Sequence, residues 1–213
     1  MGQIIPDRNR HYTVEEYFQI CETSDIKYEY RDGELIPHGG WERDEDGKII
    51  GMAGGTFEHG EIACNLIGEL RSKLKGGPCR VNNSDVRVWA ARSGRYVLPD
   101  VSVTCGTPVF NPPDKRLMLV NPRLVVEVLS KSTEAEDRGE KFRDYIAIDS
   151  LMEYVLVSQE RPRVELFRRT ADGSWAVGPW VEGIESSVTF SSLEVTLPLA
   201  EIYAGVLFPS ASA

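Results

Sequence analysis

Glu127 is the residue to begin from, because it interrupts an apolar run, Leu124-Val-Val-Glu-Val-Leu-Ser130. A buried strand carries a charge at a cost unless a partner or a reaction uses it. Upstream, Tyr96-Val-Leu-Pro-Asp-Val-Ser-Val-Thr104 has one acid, Asp100. Downstream, Lys141 opens a helical pattern. Two carboxylates and a lysine on neighbouring elements can hold a divalent cation and steady an attacking water, the minimal kit for metal-assisted phosphodiester hydrolysis. Strand periodicity puts Asp100, Ser102 and Thr104 on one face, and Glu127 on a face with Val125 and Leu129. In the right register the two carboxylates meet across the ladder, about 5 Å apart. Their repulsion raises one pKa unless a cation sits between them. Hard oxygen donors favour Mg²⁺ or Mn²⁺ over zinc. Leu129 occupies the strand position where a lysine would be simplest to place, and Lys131 shares that face only if the strand continues. Lys141 is therefore the preferred lysine, reaching back from its helix.

Each of these residues also has a structural reading. Asp100 can cap a turn at a strand end, and Glu127 can be a buried ion pair with Arg87 or Arg138. Lys141 can be a surface cation at a helix start. Glu29 either reaches the metal from a hairpin or pairs with Lys27 or Arg31. His59 is a polar residue in a first helical turn or a contact for substrate phosphate or a metal-bound water. Asp85 and Arg87 form a salt bridge or line the cleft, and Tyr145 packs in the core or lines the same mouth.

The elements that would position these groups follow from local signals. Thr13 to Glu22 reads as a short helix capped by Thr13. Lys27 to Ile36 reads as a hairpin about Asp32-Gly33. Gly39 to Gly55 is a Gly- and charge-rich surface excursion, with a second tight turn at Asp46-Gly47. Phe57 to Lys75 is the clearest helix, with Ile62, Leu66, Ile67, Leu70 and Leu74 on one side. Three strand-like runs follow, Arg80–Trp89, the run around Asp100 and the run around Glu127, with a Pro-rich loop from Gly106 to Pro122 before the last. A helix over Asp137–Ile148 and a strand over Glu153–Ser158 complete the series. Beyond it come short strands with Gly turns and a final short helix near Leu199 to Ala204. The order helix–three strands–helix–strand suits a mixed sheet flanked by helices in a single α/β (α+β) domain over 1–213, core about 57–158. The last helix-to-strand step is a crossover.

Composition sets the outer limits. The chain has 213 residues, 41% hydrophobic and 27% charged, ordinary for a globular domain. It has no apolar run near the roughly 20 residues of a membrane helix and no signal-peptide pattern at its start, so a cytoplasmic location is expected. The cysteines, Cys21, Cys64, Cys79 and Cys105, lack C-x-x-C spacing and read as buried reduced thiols. A net charge of −9 opposes general affinity for phosphates. Between Arg71 and Arg95, however, seven basic residues face one acid, and Arg80 and Arg87 are candidates for nucleic-acid contact.

Pro99-Asp100, Glu127-Val-Leu-Ser130 and Asp137-Arg-Gly-Glu-Lys141, in this order, resemble the Uma-type restriction endonuclease family of the PD-(D/E)XK nuclease superfamily. Further matching pieces are Tyr28-Glu29, Asp32-Gly33-Glu34, the run ending in Thr56-Phe-Glu-His59, Ser84-Asp85-Val-Arg87 and Glu153-Tyr-Val-Leu-Val-Ser158. The likeness extends from about Tyr12 to Tyr203, and the long stretch Pro37–Ile50 departs from it. It implies a restriction-endonuclease-like core with an N-terminal hairpin and a C-terminal β extension. It also implies Asp100 and Glu127 as metal ligands, and Lys141 as a lysine moved from strand to helix. The expected activity is Mg²⁺- or Mn²⁺-dependent cleavage of DNA by an endonuclease. A homodimer would match the two antiparallel strands of a duplex. The rival expectations are a non-catalytic protein of the same fold that binds a partner or nucleic acid, and a structural oligomer whose apparent site is an ion-pair network.

Overall fold

Thr13 caps helix α1 (Val14–Thr23) with a reciprocal box. Its hydroxyl accepts the Glu16 N–H at 3.2 Å, and the Glu16 carboxylate accepts the Thr13 N–H at 2.9 Å. Two otherwise free donors of the first turn are thereby satisfied. Strands β1 (Tyr28–Arg31) and β2 (Glu34–Pro37) form the hairpin. Its turn has φ 48° at Asp32 and 89° at Gly33, the two positive values a tight hairpin turn demands. In this computed structural model residues 6–7, 9–38, 41–43, 49–51, 55–112 and 118–208 are described. Within the excursion, β3 (Trp41–Arg43) pairs antiparallel with β4 (Ile49–Gly51). The turn expected at Asp46-Gly47 lies outside the described residues.

Thr56 caps α2 (Phe57–Lys73) by accepting the His59 N–H at 3.2 Å. Ile62, Leu66 and Leu70, spaced by four, are wholly buried and turn this helix onto the sheet.

The next stretch differs from its sequence pattern. Arg80–Trp89 is not one strand but two, β5 (Cys79–Asn83) and β6 (Arg87–Ala90). Asn83 folds the chain between them, its side chain accepting the Asp85 N–H at 3.3 Å and its carbonyl accepting the Val86 N–H at 3.1 Å. The run around Asp100 also divides, into β7 (Arg95–Val97) and β8 (Val101–Cys105). Pro99 has no N–H to give a ladder there. The Pro-rich loop holds β9 (Phe110–Asn111) and β10 (Met118–Leu119). Then come β11 (Leu124–Leu129), α3 (Glu134–Arg138), α4 (Glu140–Ile146) and β12 (Glu153–Ser158). The expected single helix is broken at Gly139, where an added Cβ would stand 2.9 Å from the Ala135 carbonyl oxygen. The chain ends in β13 (Arg163–Arg169), β14 (Trp175–Val177), β15 (Val181–Glu182), β16 (Ser187–Phe190), β17 (Val195–Pro198) and α5 (Leu199–Ile202).

The main sheet runs β14-β13-β12-β11-β8-β5, with β15 also on β13. β11 and β12 are parallel, joined by the crossover through α3 and α4, and β11 is antiparallel to β8. A second sheet runs β2-β1-β7-β6-β10-β9. One face of the main sheet, with Val101, Val103, Val126 and Val155, packs against α2, β16, β17 and α5. The other, with Val125, Leu129 and Leu156, packs against Tyr145 and Ile148 and against Val88 and Val97 of the second sheet. Among the described residues no helix is long and apolar enough to cross a membrane.

The register between β5 and β8 places Cys79 directly opposite Cys105, and the two form a disulfide. Expecting four reduced thiols was therefore wrong for this pair. Cysteines 26 residues apart meet only through strand register, which spacing does not reveal. Cys21 and Cys64 remain free.

Candidate active site

Asp100 stands one residue before β8, released from the ladder by the Leu98-Pro99 break. The last paired residues of β8 and β11 are Val101 and Val126. One step further, Asp100 faces Glu127. The two are tied through backbone, the Val128 N–H donating to Asp100 Oδ2 at 2.7 Å and the Asp100 N–H to Glu127 Oε2 at 3.4 Å. Both are nearly sealed, at 7% and 2% exposure. The break at Gly139 rotates α4 so that Lys141 points inward. Its Nζ lies 3.3 Å from Glu127 Oε1, 3.4 Å from Glu29 Oε1 and 3.2 Å from Asp137 Oδ1. Residues far apart in the chain, Glu29, Asp100, Glu127 and Lys141, thus meet at one place.

Three further groups complete the cluster. His59, in the first turn of α2, puts Nε2 3.0 Å from Asp100 Oδ1. His38, at the end of the hairpin, stands 3.9 Å from the same oxygen and 3.8 Å from Glu29 Oε1. Tyr145, one helical turn beyond Lys141, donates to Glu127 Oε1 at 2.8 Å. Sequence reasoning did not single out Asp137 or His38. Asp137 had a signal in its i, i+4 relation to Lys141. His38 had none, because its position follows from the hairpin's docking. A cavity of about 390 Å³ opens here, lined by His38, His59, Asp100, Glu127, Asp137 and Lys141.

The other candidates stand elsewhere. Asp85 pairs with Lys27 at 2.6 Å on the surface. Arg87 donates to the Tyr17 hydroxyl at 2.9 Å and lies over that ring. Arg80, exposed on β5, donates to the Gly106 carbonyl at 3.3 Å. Neither arginine lines the cavity. The basic run does not make one face either, since Arg95 is buried in ion pairs with Glu136 and Asp144.

Four carboxylates thus surround one lysine and two histidines, and their protonation is divided. Burial pushes Asp100 up, but the hydrogen bond and charge of His59, the charge of His38 and the Val128 N–H outweigh it and hold it below its ordinary value. Burial also opposes Glu29, yet Lys141 and His38 bring it down to about 2. Glu127 goes the other way. Burial lifts it well above the usual carboxylate range, and Asp137, Asp100 and Glu29 add to this against the pull of Lys141. Asp137 is likewise raised, by burial first and by Asp100, against Lys141. Lys141 is pressed down by burial but held well above its ordinary value by Glu127, Glu29 and Asp137. Fully ionised, the four carboxylates would carry more negative charge than Lys141 neutralises, and the raised values of Glu127 and Asp137 express that repulsion.

A divalent cation fits that surplus. Asp137 Oδ1 touches Lys141 but receives no hydrogen bond, and His59 Nδ1 is buried without a partner. Among the described residues no three His, Cys, Asp or Glu side chains converge closely enough to hold an ion alone. Zinc, which takes three or four protein ligands, is poorly served by such a set. Mg²⁺ keeps several waters and needs only one or two carboxylates, which Asp100 and Glu127 would supply.

Comparison with known proteins bears on the family and the fold. The model of the Uma2 family, described as "Putative restriction endonuclease", matches residues 40–200. The Synechocystis sp. PCC 6803 protein slr1290, itself uncharacterized, is 34% identical over 196 residues, spanning 91% of this chain and 92% of that protein. A second uncharacterized protein of that organism, sll1609, is 31% identical over 183 residues, spanning 86% and 94%. A crystal structure from Anabaena variabilis, of a "putative nuclease belonging to DUF820", shares the fold with a TM-score of 0.64 at 16% identity, covering 92% of this chain and 99% of that one. The mixed sheet with its flanking helices is the restriction-endonuclease-like architecture expected from the order of elements.

Proposed function

The chain belongs to the Uma2 family, and from that premise we propose that it is an endonuclease hydrolysing DNA phosphodiester bonds with Mg²⁺ or Mn²⁺. The observation that carries the reading is the convergence of Asp100, Glu127 and Lys141 on one cavity from three separate elements. Asp100 and Glu127 would hold the ion. When bound, it polarises the scissile phosphate and lowers the pKa of a water. The protein supplies the rest. The Val128 N–H and His59 fix the Asp100 carboxylate, and Tyr145 and Lys141 fix that of Glu127. Charge-assisted bonds of this kind leave the two acids little freedom to turn. Lys141 places a cation where negative charge grows on the phosphate in the transition state. Burial keeps bulk water from screening that charge. Glu29 and Asp137 hold Lys141 from the sides away from Glu127.

A rival reading takes the same cluster as a structural ion network in a binding or oligomeric protein. Its support is that Lys141 already has three carboxylate neighbours. The cavity of about 390 Å³ that opens on the cluster argues against it, since a network serving stability alone needs no opening. Calorimetric titration with Mn²⁺ separates the two. Binding by the wild type that is lost in Asp100→Ala and Glu127→Ala supports the enzyme, and no binding by the wild type rules it out. A homodimer belongs to the same reading, and sedimentation showing only monomer at micromolar protein would contradict it.

A further inference from the structure

Beside the candidate active site lies a second, more polar cavity of about 250 Å³. Ser130, Lys131 and Gln159 line both, so the two form one continuous groove along the ends of β11 and β12. The walls of the second cavity include four cations, Lys131, Arg138, Arg161 and Arg163, and three acids, Glu134, Glu160 and Glu165. Three of the cations are matched. Arg138 binds Glu134 at 2.8 Å and Glu165 at 2.6 Å, Lys131 stands 3.6 Å from Glu160, and Arg161 stands 3.8 Å from Glu182.

Arg163 is the exception. It is 9% exposed, its Nη2 is buried without a partner, and among the described residues its guanidinium makes no hydrogen bond or ion pair. Its guanidinium carbon lies over the ring of Trp180, which is half exposed. A buried guanidinium with no acceptor is costly. Burial, Arg161 and Arg138 press its pKa below the arginine range, against the pull of Glu182 and Glu165, neither of which reaches it in an ion pair.

We propose that this cavity is a phosphate subsite, in which Arg163 takes the backbone phosphodiester of the DNA strand next to the one held at Asp100 and Glu127. One unmatched cation answers one phosphodiester charge. Ser130 and Ser158 offer hydroxyls in the same cavity. The proposal rests on the nuclease reading and adds where the strand leaves the active site. It would let a protein of net charge −9 bind DNA, because affinity is drawn from one local cation.

The test is fluorescence anisotropy of a labelled duplex of roughly 20 base pairs, with EDTA and with Mg²⁺, across a salt series. Arg163→Met leaves the fold intact in expectation, since Tyr203 holds the backbone of Arg163 and not its side chain. A thermal melt checks this. The Met variant is expected to bind about 10-fold more weakly. The slope of log affinity against log salt should fall by about 0.9. Arg163→Lys, which keeps the charge, should recover most of the binding. If the wild type binds DNA and Arg163→Met binds equally well with the same salt slope, the subsite is refuted and the nuclease reading stands. If the wild type binds no DNA under either condition, both fall.

Discussion

Replacing Lys141 by Met should destabilise the protein strongly, and more in mild alkali than in mild acid. Lys141 Nζ has three carboxylate neighbours between 3.2 and 3.4 Å. At an effective dielectric of about 20, each such contact between ionised groups is worth about 5 kcal/mol, so about 15 kcal/mol is an upper bound reached only with all three acids charged. Most of that offsets the cost of burying the charges. Breaking a buried pair from one side costs about 3–5 kcal/mol net. The pH dependence gives an independent check. Without the lysine at least one of the acids must take a proton, which costs about 5 kcal/mol at about pH 8 and about 1 kcal/mol at about pH 5, from an unfolded value near 4.3.

The sign follows from Glu29. In the wild type its lowered value, about 2, contributes stability that is present above the unfolded pKa and lost as pH falls toward 2. The variant lacks the lysine that opposes burial, so Glu29 should rise above its unfolded value and cost stability as pH increases. For a chain of this size the midpoint should fall by about 6–20 °C at about pH 8 and by only a few degrees at about pH 5. Thermal unfolding by circular dichroism at both pH values measures this. An equal loss at the two, or a loss below about 1 kcal/mol in alkali, would refute the account of the cluster's charge.

Glu127→Gln should act in the opposite sense on stability. The raised folded pKa of Glu127 costs stability above its unfolded pKa, and a neutral amide of the same shape removes that cost. The midpoint in alkali should therefore stay level or rise while Mn²⁺ binding is lost, and a fall of several degrees would contradict this. Reduction of the Cys79–Cys105 disulfide, which spans 26 residues, should lower stability by about 3.5 kcal/mol on the loop-entropy scale. Maleimide labelling of the unfolded chain should then count four thiols in place of two. Thr13→Ala removes the hydroxyl that accepts the Glu16 N–H and should cost about 1 kcal/mol. A loss of enzymatic activity from that change, with no loss of stability, would be inconsistent with a purely structural cap.

Much of this architecture is legible in local sequence. The Thr13–Glu16 box, the Asp32-Gly33 turn and the four-residue spacing of Ile62, Leu66 and Leu70 each act within a few residues, and each forms as its pattern implies. Glu127 is conspicuous because a charge in an apolar strand needs a reason. What stays hidden is set by contacts across the fold. The division of Arg80–Trp89 between two sheets depends on where β6 finds partners, namely β7 and β10. The Cys79–Cys105 pair depends on register. His38 joins the cluster only because the docked hairpin turns it inward.

The most direct test of the central claim is cleavage of supercoiled plasmid in Mg²⁺ or Mn²⁺ by the wild type, Asp100→Asn and Lys141→Ala, each checked for folding. The account predicts nicking or linearisation by the wild type that EDTA abolishes, and a loss of at least about 100-fold in both variants. Equal cleavage by all three proteins, or none by the wild type with either metal, would contradict it.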